Sequence, residues 1–148
     1  MNESVTISKY PFKSVACDAS VLIDLLLSGP TKPLFEEIIA NNVKLCTTEL
    51  AITEAQYIVC RAIGVNLAET KIDNLLSSNA CDVICISSLR AMASKIKCSR
   101  AISIAECFIM ALASARGIPA LFATRETELD EELKKSPFLS VIYFLDEF

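Results

Sequence analysis

The chain has 148 residues, 53% of them hydrophobic and 22% charged, which suits one globular domain with a sizeable core and excludes a disordered chain. It contains no histidine, so a histidine-based triad, a histidine general base and the common histidine-containing zinc sites are excluded. A net charge of −4, with a pI near 4.9, excludes a generally basic nucleic-acid binder.

Short apolar runs alternate with longer helical patterns along the chain. KSVACDAS (13–20) opens as a strand that stops at Asp18. SVLIDLLLSGP reads as a helix closed by Gly29-Pro30, and PLFEEIIANN as a helix with Pro33 in its first turn and two asparagines at its end. VKLCT (43–47) is a short strand; TELAITEAQYIVCRAIG is a helix ending at Gly64; residues 67–78 form another helix. DVICIS (82–87) is the third strand, residues 88–98 are helical, and SIAECFIMALASA (103–115) is an apolar helix that runs up to Gly117. IPALFAT (118–124) is the fourth strand, ETELDEELKK a short acidic helix, and FLSVIYF (138–144) the fifth strand. Strands that alternate with helices, and that are continuously apolar, imply right-handed crossovers and a mainly parallel five-stranded sheet covered on both faces. The expected fold is a three-layer α/β/α sandwich, in one domain over residues 1–148.

No apolar run reaches the length of a membrane span, and MNESVTISKY lacks the apolar centre of a signal peptide, so a soluble, cytoplasmic protein is expected. Of the seven cysteines, Cys17, Cys46, Cys60, Cys85 and Cys107 lie in apolar runs, as small core hydrophobes do; an odd count argues against a disulfide framework, although one bridge stays open. Cys81 and Cys85 are four strand steps apart, roughly 13 Å, too far to share one metal. The charge is uneven. RAMASKIKCSR (90–100) carries Arg90, Lys95, Lys97 and Arg100 without an acid, and ETELDEE (126–132) is strongly acidic. Each is either a solvated helix face or, for the first, a cationic rim for a polyanion.

The acids carry the functional signal. Asp18 follows the first strand and suits either a helix N-cap or a site at the carboxyl edge of the sheet. Glu54 shares a helix face with Leu50, Ala51, Tyr57 and Ile58; a pairing with Arg61, or exposure, is the alternative to a functional role. Glu106 sits in the first turn of an apolar helix, where Ser103-x-x-Glu106 has the form of a capping box and the helix dipole favours an acid. Glu126 and Glu128 follow the fourth strand, where an acidic helix start is the plainer reading. Taken together, Asp18 and Glu126 follow two strand ends, and Glu54 and Glu106 stand near helix starts that can face the same mouth. Converging carboxylates repel one another unless a hard cation holds them, and Mg²⁺ or Mn²⁺ takes oxygen ligands of this kind.

CDASVLIDLL, TEAQYIVCR, ISIAECFIMALA and ATRETEL, in this order and spacing, resemble the PIN domain, specifically its VapC-like toxin branch, over about residues 13–144. Asp18 and Ser20 match the family's first acid and its hydroxyl residue, Glu54 its helical glutamate, Glu106 its third acid, and Glu126 after Thr124 its fourth. The resemblance implies a Mg²⁺- or Mn²⁺-dependent endoribonuclease. Asp18, Glu106 and Glu126 would hold the metal, and Glu54 would complete the site or orient the attacking water. Ser20, Ser103, Thr124 and Glu128 would have supporting roles. Water attack would leave 5′-phosphate and 3′-hydroxyl ends. Arg90, Lys95, Lys97, Arg100 and Arg125 would be RNA contacts. The branch also implies a homodimer and an antitoxin partner whose peptide covers the acidic site. Positions 106 and 126 carry Glu where the family usually has Asp, one methylene longer, while Mg²⁺ demands near-ideal geometry at about 2.0–2.1 Å. Mn²⁺ is therefore the alternative ion, and a catalytically impaired PIN-fold binding or assembly module the alternative function. A phosphoacceptor receiver domain would need an acid ending the third strand and a lysine after the fifth, which DVICIS and Asp146-Glu147 do not supply.

Overall fold

The computed structural model describes residues 10–148, so the polar N-terminal stretch over residues 1–9 lies outside the described residues. Strand β1 (Ser14–Cys17) leads into helix α1 (Ala19–Leu27), then α2 (Lys32–Ala40), β2 (Lys44–Thr48), α3 (Glu49–Ile63), α4 (Val65–Ser77) and β3 (Cys81–Ile84). A 3-10 turn (Ile86–Leu89) precedes α5 (Arg90–Ser99) and α6 (Ile104–Arg116). β4 (Ala120–Phe122), α7 (Thr127–Lys135), β5 (Ile142–Phe144) and a closing 3-10 turn (Leu145–Glu147) follow.

All strand pairs are parallel, in the order β3-β2-β1-β4-β5. Ala16 is the hinge of the register: it faces Cys46 on β2 and Ala120 on β4. Strand order reverses at β1, which opens a crevice at the carboxyl ends of β1 and β4. Right-handed crossovers put α1 to α4 on one face and α5 to α7 on the other. The contacts agree: α1 packs on α2 and α3, α3 on α4, and α5 on α6. The result is the expected three-layer α/β/α sandwich.

Helix α6 is the apolar spine. Cys107 to Ala113 are all buried, against β1 and β2 among others. Its ends are written in the sequence. Ser103 caps the start by accepting the Glu106 N–H at 3.1 Å. Gly117, at φ 63°, takes the left-handed conformation at the end, while the Ile118 N–H returns to the Ala113 carbonyl at 3.0 Å.

The strands are shorter than the apolar runs that announce them. DVICIS pairs only as far as Ile84, and the chain then turns into the 3-10 segment; IPALFAT pairs only over Ala120–Phe122, and FLSVIYF only over Ile142–Phe144. On the edge strand β3 Asp82 is exposed, so coverage of both faces holds for the central strands and not for this edge. All seven cysteines are free thiols. Cys85, read as a core residue, is exposed, because the strand ends one residue before it. No helix among the described residues is long and apolar enough to cross a membrane.

One acid is buried by a partner distant in sequence. Glu132 on α7 accepts the Ala101 N–H at 3.0 Å and lies 3.6 Å from the Arg100 guanidinium, and the Ala101 bond holds its carboxyl below the usual value. Arg100 also donates to the carbonyls of Ser136 and Pro137, tying α7 to the α5–α6 turn. Because Ile109 is fully buried in α6, Ile109→Ala is expected to lower unfolding stability by about 2–5 kcal/mol, read from urea denaturation at equal m-value.

Candidate active site

Asp18 owes its position to backbone geometry on both sides of β1. Its N–H donates to the Leu121 carbonyl at 2.9 Å, which locks the end of β1 to β4. On the other side, the Thr47 hydroxyl donates to the Cys17 carbonyl at 2.8 Å. The Asp18 carboxylate accepts the Ser20 N–H at 3.0 Å and so caps α1, yet it is only 8% exposed. The Ser20 hydroxyl in turn accepts the Ala123 N–H at 3.1 Å, bridging α1 to the end of β4. Thr47 has no counterpart among the sequence-derived site residues; its signal is two polar residues, Thr47-Thr48, at the end of an otherwise apolar strand.

The other acids reach this mouth from three further elements. Thr48 caps α3 by accepting the Ala51 N–H at 3.0 Å, and Glu54 follows in the second turn, half-buried. Among the described residues Glu54 has no cationic partner; Arg61, its alternative partner, lies over the Tyr57 ring at 5.1 Å. Glu106 is half-buried at the start of α6, and the Ser103 hydroxyl donates to its carboxylate at 2.9 Å. Glu126 occupies the N-cap position of α7 without capping it. Glu128, in the first turn of the same helix, is exposed, as is Thr124 in the preceding loop.

The electrostatics join these acids into one group. Burial pushes the Asp18 carboxyl above its usual value, the nearby Glu126 pushes it further, and the Ser20 bonds oppose the shift. Glu54 is raised by burial and then by Asp18 and Glu126. Glu106 is pushed up to about 7, first by burial and then by Asp18, Glu126 and Glu128, against the pull of the Ser103 bond. The donor set therefore suits a hard cation in chemistry: oxygen only, partly desolvated, and mutually repelling. As the side chains stand, among the described residues no three Asp, Glu or Cys groups are close enough together to hold a metal ion.

The proposed RNA-contacting cations divide. Arg125 is held by Glu147 and Asp130, both at 3.1 Å, and stacks 4.2 Å over Phe144. Arg100 is committed to Glu132 and the α7 carbonyls and stacks 4.1 Å over Phe138. Arg90, Lys95 and Lys97 are exposed along α5. A cavity of about 680 Å³ is framed by Met92, Ile96, Met110, Phe138 and Leu139 and contains none of the four acids.

The raised Glu106 carboxyl gives a measurable sign. Its value in the folded chain, about 7, lies above the ordinary 4.5, so the folded state binds the extra proton between these pH values. Stability from this group is therefore greatest at low pH and falls as pH rises from about 4.5 through about 7. In chelator, Glu106→Gln is expected to remove that decline from a series of urea denaturation curves. Parallel pH profiles for the two proteins would contradict the assignment.

The solved structures of similar fold include three toxin-family chains or complexes. Mycobacterium tuberculosis VapC20, described as a sarcin–ricin loop cleaving toxin, aligns with TM-score 0.65 and 15% identity over 79% of this chain and 93% of that one. VapBC from Salmonella typhimurium, solved bound to DNA, gives 0.67 and 14% over 90% of this chain and 98% of that chain. VapBC2 from Rickettsia felis, solved on a promoter DNA fragment, gives 0.64 and 14% over 88% and 98%. No curated protein matches the sequence. The family model for the PIN domain matches residues 15–132, a span that includes all of the acids at the mouth, and the chain belongs to the PIN domain family.

Proposed function

We propose that this chain is a metal-dependent endoribonuclease and the toxin of a toxin–antitoxin pair. The observation that carries the reading is the coupling of Asp18, Glu54, Glu106 and Glu126, from four separate elements, at the crevice between β1 and β4 in a PIN fold. VapC20, of similar fold, is described as a toxin that cleaves the sarcin–ricin loop, and two other similar chains come from VapBC complexes. These likenesses support an RNA substrate and an antitoxin partner for this chain. A cytoplasmic setting and a homodimer are part of the same reading.

Asp18, Glu106 and Glu126 are the residues that would hold Mg²⁺ or Mn²⁺. A bound divalent ion supplies Lewis-acid polarisation of a phosphate oxygen and a more acidic water. The chain supplies the rest. Ser20 fixes the Asp18 carboxylate against the end of β4, and Ser103 fixes Glu106. Glu54, with its raised proton affinity, accepts a proton from the attacking water, and the products carry 5′-phosphate and 3′-hydroxyl ends. Glu128 stands behind as a further acid at the rim, beside Thr124 and the α7 start.

A second reading is a PIN-fold binding module without catalysis. It is favoured by the spread of the acids, none of which form a ready group of three. The longer glutamates at 106 and 126 must swing to close on an ion, which makes Mn²⁺, with its softer geometric demand, the better activator in the nuclease reading. Incubation of purified wild type with a mixed RNA set is expected to give cleavage with Mn²⁺ and less with Mg²⁺. Asp18→Asn should fall to background, and Glu54→Gln should lose about 10²-fold or more in kcat. Absence of cleavage with both ions would select the binding module, and equal cutting by Asp18→Asn would assign the activity to a contaminant.

A further inference from the structure

A second groove, about 360 Å³, runs between α5 and α6 and is lined by Arg90, Ser94, Lys97, Cys98, Ile104 and Phe108. It is separate from the acidic mouth but adjoins it. Ile104 and Phe108 bracket Glu106 in α6 and, two positions away, lie about 200° around the helix from it. The start of α6 therefore presents Glu106 to the mouth and these two apolar side chains to the groove.

The groove has the opposite character to the mouth. Two of its six lining residues are cations and none is an acid. Arg90 is exposed and has no acidic partner among the described residues. Lys97 gives one donor to the Ile102 carbonyl at 2.6 Å, which holds the α5–α6 turn, and keeps its remaining donors in solvent. Ile104 is 49% exposed and lines an apolar floor with Phe108, itself 9% exposed. Cations beside an apolar floor match a single strand of nucleic acid, with phosphates on the charges and a base packed on the floor. Arg100 and Arg125 do not compete for this role, being committed within the fold. Lys95 lines the other cavity.

We propose that the α5–α6 groove seats the single-stranded RNA flanking the scissile linkage, with Arg90 and Lys97 on its phosphates and Ile104 and Phe108 under a base. The proposal rests on the ribonuclease reading, since the strand crosses the start of α6 to reach the acidic mouth. The groove draws in a polyanion that the mouth alone would repel, and so contributes to binding and not to the chemical step.

The test uses the full chain as Asp18→Asn, which leaves RNA intact, and a short unstructured single-stranded RNA with a fluorescent end, titrated in Mg²⁺ at several salt concentrations. Adding Arg90→Ala is expected to weaken binding about tenfold and to lower the salt slope by about 0.7, the loss of one phosphate contact. Arg90→Glu with Ser94→Glu should weaken it further, while the thermal midpoint stays that of the parent. RNA should also slow alkylation of the groove thiol Cys98 relative to Cys85, the other exposed cysteine. Unchanged affinity and slope in both variants, or equal protection of the two thiols, overturns the groove. The two readings separate cleanly. A wild type that cuts RNA beside unaffected Arg90 variants leaves the nuclease standing without the groove. A wild type that cuts nothing, with Arg90 variants that bind RNA weakly, keeps the groove on a binding module.

Discussion

The parallel pairing of β1 with β4 is the contact on which the mouth depends. The bond from the Asp18 N–H to the Leu121 carbonyl ends one strand against the other, and Ser20 crosses to the Ala123 N–H just beyond. Thr47 restrains the same strand end from the β2 side. With crossovers leaving on opposite faces at this point, no helix closes over the strand ends, and the first residue after β1 faces an open crevice. The aspartate there is 8% exposed.

The same arrangement sets stability against function. Burial and mutual repulsion both raise Asp18, Glu54 and Glu106, so the fold bears a group of carboxylates that would sooner be protonated. The continuous buried run of α6 and the caps at Ser103 and Thr48 hold them against that repulsion. A bound cation would relieve the repulsion, which links ion binding to folding through the same groups. On the α5 side of α6, the uncompensated Arg90 and Lys97 give the molecule a local positive surface despite its net charge of −4. The placement of charge, and not its sum, would bear on the proposed polyanionic substrate.

Much of this was legible in the sequence because local rules and global fold agree. Gly29-Pro30, Gly64 and Gly117 mark real helix ends, and the apolar runs mark real strands in their right order. The acids stood out because each interrupts an apolar pattern or follows a strand. What was not legible depends on partners far along the chain. Glu132 reads as one more acid of a solvated helix, and its burial rests on Ala101 and Arg100, 31 and 32 residues away. Arg125 reads as a free cation until Glu147, 22 residues later, folds back onto it. Strand ends were overextended, and Cys85 misplaced in the core, because an apolar run continues past the last residue that finds a pairing partner. Thr47 gives no such signal, because a hydroxyl bonded to a neighbouring strand's carbonyl leaves no local pattern.

The central claim is that the acids at the β1–β4 crevice form one coupled site for a divalent ion. Isothermal titration with Mn²⁺ near pH 6, repeated in buffers of different ionisation enthalpy, measures it directly, because Glu106 is largely protonated there and must release its proton to bind. The expected result is saturable binding with net proton release, with less release from Glu106→Gln and binding lost in Asp18→Asn. Absence of Mn²⁺ binding, or binding that both variants leave unchanged, would contradict it.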